Sequence, residues 1–573
     1  LSLEGFTRLV NSTTNMSSSG STQIEVPVKP VWQQEGKLLD YKPNIVLSTE
    51  EFKIVGTRPI RHDGLDKVMG RARYAADIHL PGMLHGKILR SPHAHARIRS
   101  IDPSRALALP GVKAVVTAAD LPEASAAMID QEEGGGVNYG FYSRNVMARE
   151  KALYKGHAVA AVAATNIHVA EHALSLIEVD YEVLTPVMDA KEAMKEDAPL
   201  VHERLKAMNS VAIRAGGVLD DDDTSKGSNT ANHFEFSLGD VEQGFKDADV
   251  IIEKETSTVA VHQGYIEPNA GTAMWHEDGT LTIWSSSQGQ FMVRDFTARL
   301  AGVPVSKVKA IPMEIGGGFG GKIGVYLEPL AALLSRECGR PVQLTMDRTD
   351  VFQATGPTSG SHIKGKLAAK DGKLTAAEVS LAFEAGGFPG SPVMAGAMCM
   401  LSPYDVENFT IDAYDVVVNK PKVAAYRAPG APNASFAIEQ LIDEVARELN
   451  VDPLEFRLKN AAKKGVKASY GPTYPEIGMI ETVKAAMEHP HYKAKLGPNQ
   501  GRGVASGFWV NAGGEATAHI TIQPDGRPAL MTGRPDIGGS RASQAIILTE
   551  ELGIDVDDVK VSIGDTDSIG FNM

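Results

Sequence analysis

The chain has 573 residues, too many for one core, so two to four domains are expected, and its 43% hydrophobic and 22% charged content is that of an ordinary globular protein. A net charge of −14 argues against binding nucleic acid through a basic surface, no apolar run reaches the length of a membrane span, and residues 1–20 lack the cationic start and hydrophobic core of a signal peptide. A cytoplasmic location is therefore the default, and two cysteines, Cys338 and Cys399, are too few to hold an Fe–S cluster or a cysteine-rich zinc site.

Residues 1–52 carry Pro27, Pro30 and Pro43 without sustained periodicity and read as an arm or linker. A compact α+β domain is expected over 53–205, with strands at 87–89, 97–101 and 112–117 and a helix over 167–177 running into a strand at 178–183. His93 and His95 could ligate a metal, but no third ligand is near and Pro92 marks a turn, so they read as structural histidines. The charged stretch 219–227, with Asp220 to Asp223, reads as a boundary loop.

A larger region over 228–500 opens with strand-like runs at 233–237 and 250–260, then His262-Gln263-Gly264-Tyr265-Ile266-Glu267-Pro268. A hairpin at Asp278 and Gly279 leads into a strand over 281–285, which exits through Ser286-Ser287-Gln288-Gly289 into a helix. Gln288 thus offers a neutral donor and acceptor at a strand end. Next comes Glu314-Ile315-Gly316-Gly317-Gly318-Phe319-Gly320-Gly321-Lys322, where five glycines around one aromatic leave backbone N–H groups open to an anionic or oxygen-rich ligand. The stretch also fits most of a Walker A phosphate loop, yet Ile323 stands where a Mg²⁺-binding Ser or Thr is required, and a plain chain-reversing turn is the third reading.

Leu330, Leu333 and Leu334 then recur at helical spacing up to a cap at Gly339. The loop 419–432 holds Tyr426-Arg427-Ala428-Pro429, with one cation among Gly and Pro just ahead of a helix start. That amphipathic helix places Phe436, Ile438, Leu441, Ile442, Val445 and Leu449 on one face, and Asp452-Pro453 opens another. The segment 501–573 starts with a hairpin, followed by Asp536-Ile537-Gly538-Gly539-Ser540-Arg541 before a helix ending at Gly553. With Ser540 as N-cap and the glycines bare, this is a second candidate anion corner beside a guanidinium.

These stretches together resemble the large, molybdopterin-binding subunit of the xanthine dehydrogenase / aldehyde oxidase family, from about Val55 to the end. The carriers are 64–77 with 91–101, the Gln288-Gly289 strand exit, the Gly316 to Lys322 cradle, the Tyr426-Arg427 loop, Asp452-Pro453 and 532–539. The resemblance implies an α+β fold: an N-terminal α/β hammerhead-like domain, then large α+β molybdopterin-binding domains over 228–500 and, incompletely, 501–573. It implies a molybdenum hydroxylase that inserts a water-derived oxygen at an activated C–H carbon and passes two electrons to Fe–S and FAD groups on partner subunits.

By match to the family's motifs, Gln288 and Arg427 are the catalytic candidates, Gln288 bonding an oxygen ligand of molybdenum and Arg427 lying beside substrate or those ligands. Gln288, Gly289, Gly317, Gly318, Phe319, Gly320, Arg427, Gly538, Gly539, Ser540 and Arg541 would contact the cofactor, molybdopterin or its cytosine dinucleotide form, although Gly539 stands where Gln is common. The metal is held by the pterin dithiolene, with no protein ligand. Ile323, Thr358, Tyr426, Ala428 and Pro429 would line the substrate pocket. Ile323 and Thr358 replace the Glu and Arg that anchor a purine, Pro429 replaces a stacking Phe, and Ala428 replaces the Cys of copper-containing CO dehydrogenases. Xanthine and carbon monoxide are thus disfavoured, leaving aldehydes and N-heteroaromatic substrates such as nicotinate. The family's catalytic glutamate, in a C-terminal Gly-Glu motif, has no counterpart after Gly539. The chain is therefore expected to be truncated or completed by a second molybdopterin subunit. The alternatives are a non-catalytic molybdopterin-binding or assembly scaffold and, behind it, a P-loop triphosphatase.

Overall fold

The computed structural model describes residues 51–123, 128–131, 135–206, 208–209, 218–219, 227–510 and 515–572. The expected arm up to residue 50 and the Asp220 to Asp223 loop lie outside the described residues. The fold is mixed helix and sheet. Its centre is a seven-stranded sheet in the order Val308–Pro312, Leu281–Ser285, Ala270–Trp275, Val342–Thr345, Leu84–Arg90, Ala158–Ala164, Val112–Thr117.

That order joins distant sequence. Leu84–Arg90 pairs in parallel with Val342–Thr345, setting Leu84 opposite Val342 and Gly86 opposite Leu344. A Cβ on Gly86 would stand 2.5 Å from Leu344 Cδ2, so glycine is what lets the strands close at this register. All seven residues of Ala158–Ala164 are buried, the pattern of a strand covered on both faces. Helices Ile167–Leu174, Gln290–Ala301 and Glu328–Cys338 supply cover, and Leu330, Leu333 and Leu334 on the last are fully enclosed. The first helix stops three residues short of the expected 177, because 175–177 wind into a turn bonded back to His172, Ala173 and Leu174.

A six-stranded sheet forms the second layer: Met208–Asn209, Thr230–Leu238, Phe409–Val417, Lys373–Gly386, Ser361–Lys370, Val250–Thr258. The expected Asp371-Gly372 turn links its longest hairpin with both residues at positive φ, 51° and 75°. Ala431–Glu448 packs on this sheet through Ile438, Leu441, Ile442 and Val445. Phe436 departs from the sequence reading: it is 51% exposed. At about 100° per residue it lies two steps from Ile438 and so on the far side of the helix.

The same helix carries Glu439, whose Oε2 accepts from Arg457 Nε at 2.9 Å and Nη2 at 2.7 Å, while Arg457 Nη1 donates to Asp443 Oδ1 at 2.7 Å. Arg457 sits on Pro453–Lys459, which Asp452 caps by accepting from Leu454 N and Glu455 N. A third sheet, Ala518–Ile522, Pro528–Thr532 and Lys560–Ile563, docks on the first. Gln290 Nε2 donates to the carbonyls of Gly533 and Gly564, and Thr566 exchanges bonds with the Ala310 main chain.

Arg457→Ala leaves Glu439 buried without its cation and is expected to destabilise this layer by about 3–5 kcal/mol. A lowered thermal midpoint in circular dichroism melts checks this, and a midpoint within a degree or two of wild type would show that the pair does not matter.

Candidate active site

The glycine turn is fastened by one carboxylate. Glu267 Oε2 accepts from the N–H of Gly316 at 2.8 Å and from Lys322 Nζ at 2.7 Å, so both ends of the turn meet at one oxygen. The Lys322 side chain is fully enclosed, its Nζ 4.9 Å from the centre of the Tyr265 ring. Burial pushes its pKa down, with Glu267 opposing.

A second grip comes from Gln288. Its Oε1 accepts from Gly320 N at 2.8 Å and Lys322 N at 3.3 Å, and its own N–H donates to Lys322 O at 2.9 Å. Gln288 Nε2 has no hydrogen-bond partner among the described residues. Gly289 caps the helix Gln290–Ala301, its N–H bonded to Ser287 Oγ. The glycines are a steric necessity: a Cβ would stand 2.4 Å from Gln288 Oε1 at position 318 and 2.5 Å from the Ala425 carbonyl at position 320. Phe319, between them, has φ 54° and a ring 47% exposed.

The Arg427 loop closes over the turn. Arg427 N donates to Phe319 O at 2.9 Å, and Gln263 Nε2 holds the Ala425 carbonyl at 2.9 Å. Arg427 and Ala428 are consecutive non-glycine residues at positive φ, 28° and 61°, a strained pair costing on the order of 1–3 kcal/mol each. The Arg427 guanidinium is exposed and has no partner among the described residues. Thr358 approaches through its neighbours: Thr358 N bonds Val261 O, and Ala424 N bonds Pro357 O. Ile323, half-buried, continues the turn with its N–H on Gly320 O. Gln288, Gly317, Gly318, Phe319, Gly320 and Arg427 therefore form one locality, with Tyr426, Ala428, Pro429, Ile323 and Thr358 around it.

The 536–541 corner is built differently from the sequence expectation. Gly539, not Ser540, is the N-cap of Ser540–Leu552, and Asp536 Oδ1 accepts from the N–H groups of Gly538 at 2.9 Å, Gly539 at 2.6 Å and Ser540 at 3.0 Å. The amides expected to be bare are thus met by the chain's own carboxylate. Burial works against that charge, but the amide bonds prevail and hold the Asp536 carboxyl below its usual range. Arg541 Nη2 pairs with Glu314 Oε1 at 2.6 Å, tying this corner to the start of the glycine turn beside a cavity of about 270 Å³.

His95 Nδ1 bonds Thr185 O, and His93 packs edge-on against Tyr181. Among the described residues no group of three or more His, Cys, Asp or Glu is placed to hold a metal ion. Burial pushes the thiols of Cys338 and Cys399 up to about 11, away from the thiolate form a metal binds. Sequence reading missed Glu267 and Gln263, although a lysine closing a bare glycine turn signals a nearby carboxylate.

A sheet-centred α+β scaffold that brings a glycine turn, one amide side chain and one arginine loop into a single locality frames a candidate cofactor site. Residues 69–185 match the aldehyde oxidase and xanthine dehydrogenase a/b hammerhead domain, and residues 223–461 and 479–573 each match a molybdopterin cofactor-binding domain. The nicotinate dehydrogenase large molybdopterin subunit of Eubacterium barkeri is 31% identical over 447 residues, covering 77% of this chain and 97% of its own. The carbon monoxide dehydrogenase large chain of Afipia carboxidovorans is 30% identical, with 93% of this chain and 69% of that one covered. The crystal structure of quinoline 2-oxidoreductase from Pseudomonas putida 86 superposes with a TM-score of 0.78 over 91% of this chain and 68% of that chain; at 24% identity this is a likeness of fold. The chain belongs to the xanthine dehydrogenase / aldehyde oxidase family of molybdopterin-binding large subunits. It spans nearly all of the nicotinate dehydrogenase subunit and about two thirds of the carbon monoxide dehydrogenase chain.

The Lys322–Glu267 pair makes a signed prediction. Lys322 has a folded pKa below that of unfolded lysine, so between the two values the unfolded chain binds more protons and stability rises with pH. Glu267→Gln removes the opposing attraction, lowers the folded pKa further and widens that window. The deficit in thermal midpoint of Glu267→Gln is therefore expected to shrink from pH 7 to pH 10, and a pH-independent deficit would contradict it.

Proposed function

We propose that this chain is the molybdenum-carrying large subunit of a hydroxylase that inserts a water-derived oxygen at an activated C–H carbon, with two electrons passing to Fe–S and FAD groups on partner subunits. The observation that carries the reading is that Gln288, the 317–320 main chain and the Arg427 loop are bonded into one locality. The residues suit an oxygen-rich, anionic cofactor. A side chain at Gly318 or Gly320 would push Gln288 or the Ala425 carbonyl out of place, and Gln288 Nε2 and the Arg427 guanidinium are donors left unused among the described residues. Molybdopterin, when bound, supplies the metal-centred two-electron acceptor.

The protein's part is positioning and charge. Gln288 Nε2 would serve as a donor toward the bound cofactor, its orientation fixed because Oε1 is occupied by Gly320 and Lys322. Gly317 to Gly320 let the main chain approach closely, and Phe319 walls one side of the cleft. Arg427 steadies negative charge at the reacting end, and the strain in its loop is the cost of aiming it there. For Gly538, Gly539, Ser540 and Arg541 to meet the pterin, Asp536 would have to release the three amides and Glu314 the guanidinium. Ile323, Thr358 and Pro429 offer no paired charges, which favours an aldehyde or N-heteroaromatic substrate over a purine.

Proton removal needs a carboxylate free of a cation, and Glu267 holds Lys322 and Gly316 through Oε2, with Oε1 buried and unpartnered among the described residues. We assign that base to a second molybdopterin polypeptide, a reading supported by the match over 97% of a relative named as a large molybdopterin subunit. Among the described residues no helix is long and apolar enough to cross a membrane.

Elemental analysis of the purified complex is expected to find molybdenum. Gln288→Ala should lower substrate-dependent dye reduction by about 10- to 100-fold, and Gly320→Ala should abolish metal retention while the circular dichroism spectrum stays unchanged. Full molybdenum content in Gly320→Ala would refute the cradle assignment. The loaded chain without its partners should reduce no dye; turnover by it alone would overturn the shared base.

A further inference from the structure

Away from the cradle, the first domain and the loop bearing Phe388 enclose a second cavity of about 200 Å³. Five cations line it, Arg97, Arg144, Arg149, Lys151 and Arg204, against two carboxylates, Glu150 and Glu203. On a chain of net charge −14 this is a local reversal of sign.

Arg97 also has Glu182, whose Oε2 lies 3.6 Å from its Nε, and Arg204 is engaged elsewhere, so Arg149 is the lining cation that the carboxylates leave unpaired among the described residues. Glu203 is shared: its Oε2 lies 2.9 Å from Lys151 Nζ and its Oε1 3.6 Å from Arg97 Nη2. Glu150 lies 3.6 Å from Arg144 Nε. Arg149 donates to the carbonyls of Leu121 at 2.8 Å and Pro122 at 3.4 Å and forms no ion pair among the described residues. The Lys151 side chain is only 10% exposed, and two donors are used, on Val201 O and Glu203, leaving a third. The neighbours register the field. Burial lowers the pKa of Lys151 with Arg97 adding to the effect, and it takes buried His202 to about 4 with Lys151 and Arg144 adding. His202 therefore stays neutral on the cavity floor beside Phe388, its Nε2 on the Gly387 carbonyl.

We propose that this cavity binds a phosphate-class dianion, as the free ion or as the terminal group of a small phosphate ester, at a site separate from the cradle. Arg149 and Arg144 receive the anion in bidentate fashion, and Glu203 is a placeholder that yields Lys151 to it while Arg97 stays with Glu182. The volume admits the phosphate group and little more, so the remainder of an ester stays outside.

Isothermal titration of the cofactor-loaded complex at fixed ionic strength tests this with inorganic phosphate in one arm and adenosine monophosphate in the other. Saturable one-site binding is expected, weakened about tenfold or more by Arg149→Gln and tightened several-fold by Glu203→Gln. It should also weaken from pH 8 to pH 6 as phosphate loses its second charge. Should Arg149→Gln lower the melting temperature, Arg144→Gln, which bonds no main-chain carbonyl through its side chain, replaces it with the same expectation. Tighter binding of phosphate assigns the free ion, and tighter binding of the nucleotide assigns the ester. No saturable heat in either arm, binding that the arginine variant leaves unchanged, or binding that Glu203→Gln fails to tighten overturns the proposal.

Discussion

A single carboxylate oxygen, Glu267 Oε2, meets both the first amide of the glycine turn and the ammonium of the lysine that ends it. A turn with so little side-chain cover has many accessible shapes, and glycine loses more freedom on ordering than any other residue. Local propensity cannot choose among those shapes, so fixed partners on other segments must. Glu267 does so from one side and Gln288 from the other, and both act at short range in a nearly dry setting where an unmet charge is costly. Everything that faces the cleft hangs on this fastening, because the Arg427 loop is itself hung on the Phe319 carbonyl.

The sheets explain why the fastening is steady. Gln288 leaves the end of Leu281–Ser285, and the glycine turn leaves the end of its parallel neighbour Val308–Pro312, so the two meet at the same edge of one sheet. The Arg427 loop arrives from the other layer, after Phe409–Val417. The cleft therefore lies where two layers meet, a common setting for small-molecule sites.

Much of this was legible in the sequence, and the remainder follows a pattern. Periodicity located the strands and the helix of Leu330, Leu333 and Leu334, because apolar spacing reports directly on which face is covered. Gln288, Phe319 and Arg427 were singled out through the resemblance to the family's motifs, and the structure brings the three into one locality. Glu267 and Gln263 were not singled out, since their roles exist only through partners elsewhere in the chain, Lys322, Gly316 and Ala425. The corner at 538–541 was misread for a related reason. Its bare amides are visible in sequence, whereas the preceding Asp536 folding back onto them is a matter of loop shape. Phe436 failed because a loose count of apolar residues tolerates an outlier that the helical angle does not.

The parallel pairing of Leu84–Arg90 with Val342–Thr345 carries a consequence for biogenesis. During synthesis the amino-terminal strands emerge long before the strand that completes their ladder, so they wait with an unsatisfied hydrogen-bonding edge until the ribosome has released Thr345. Since the glycine turn 314–322 sits between those two strands in the chain, it too reaches its final setting only after Thr345 has been made.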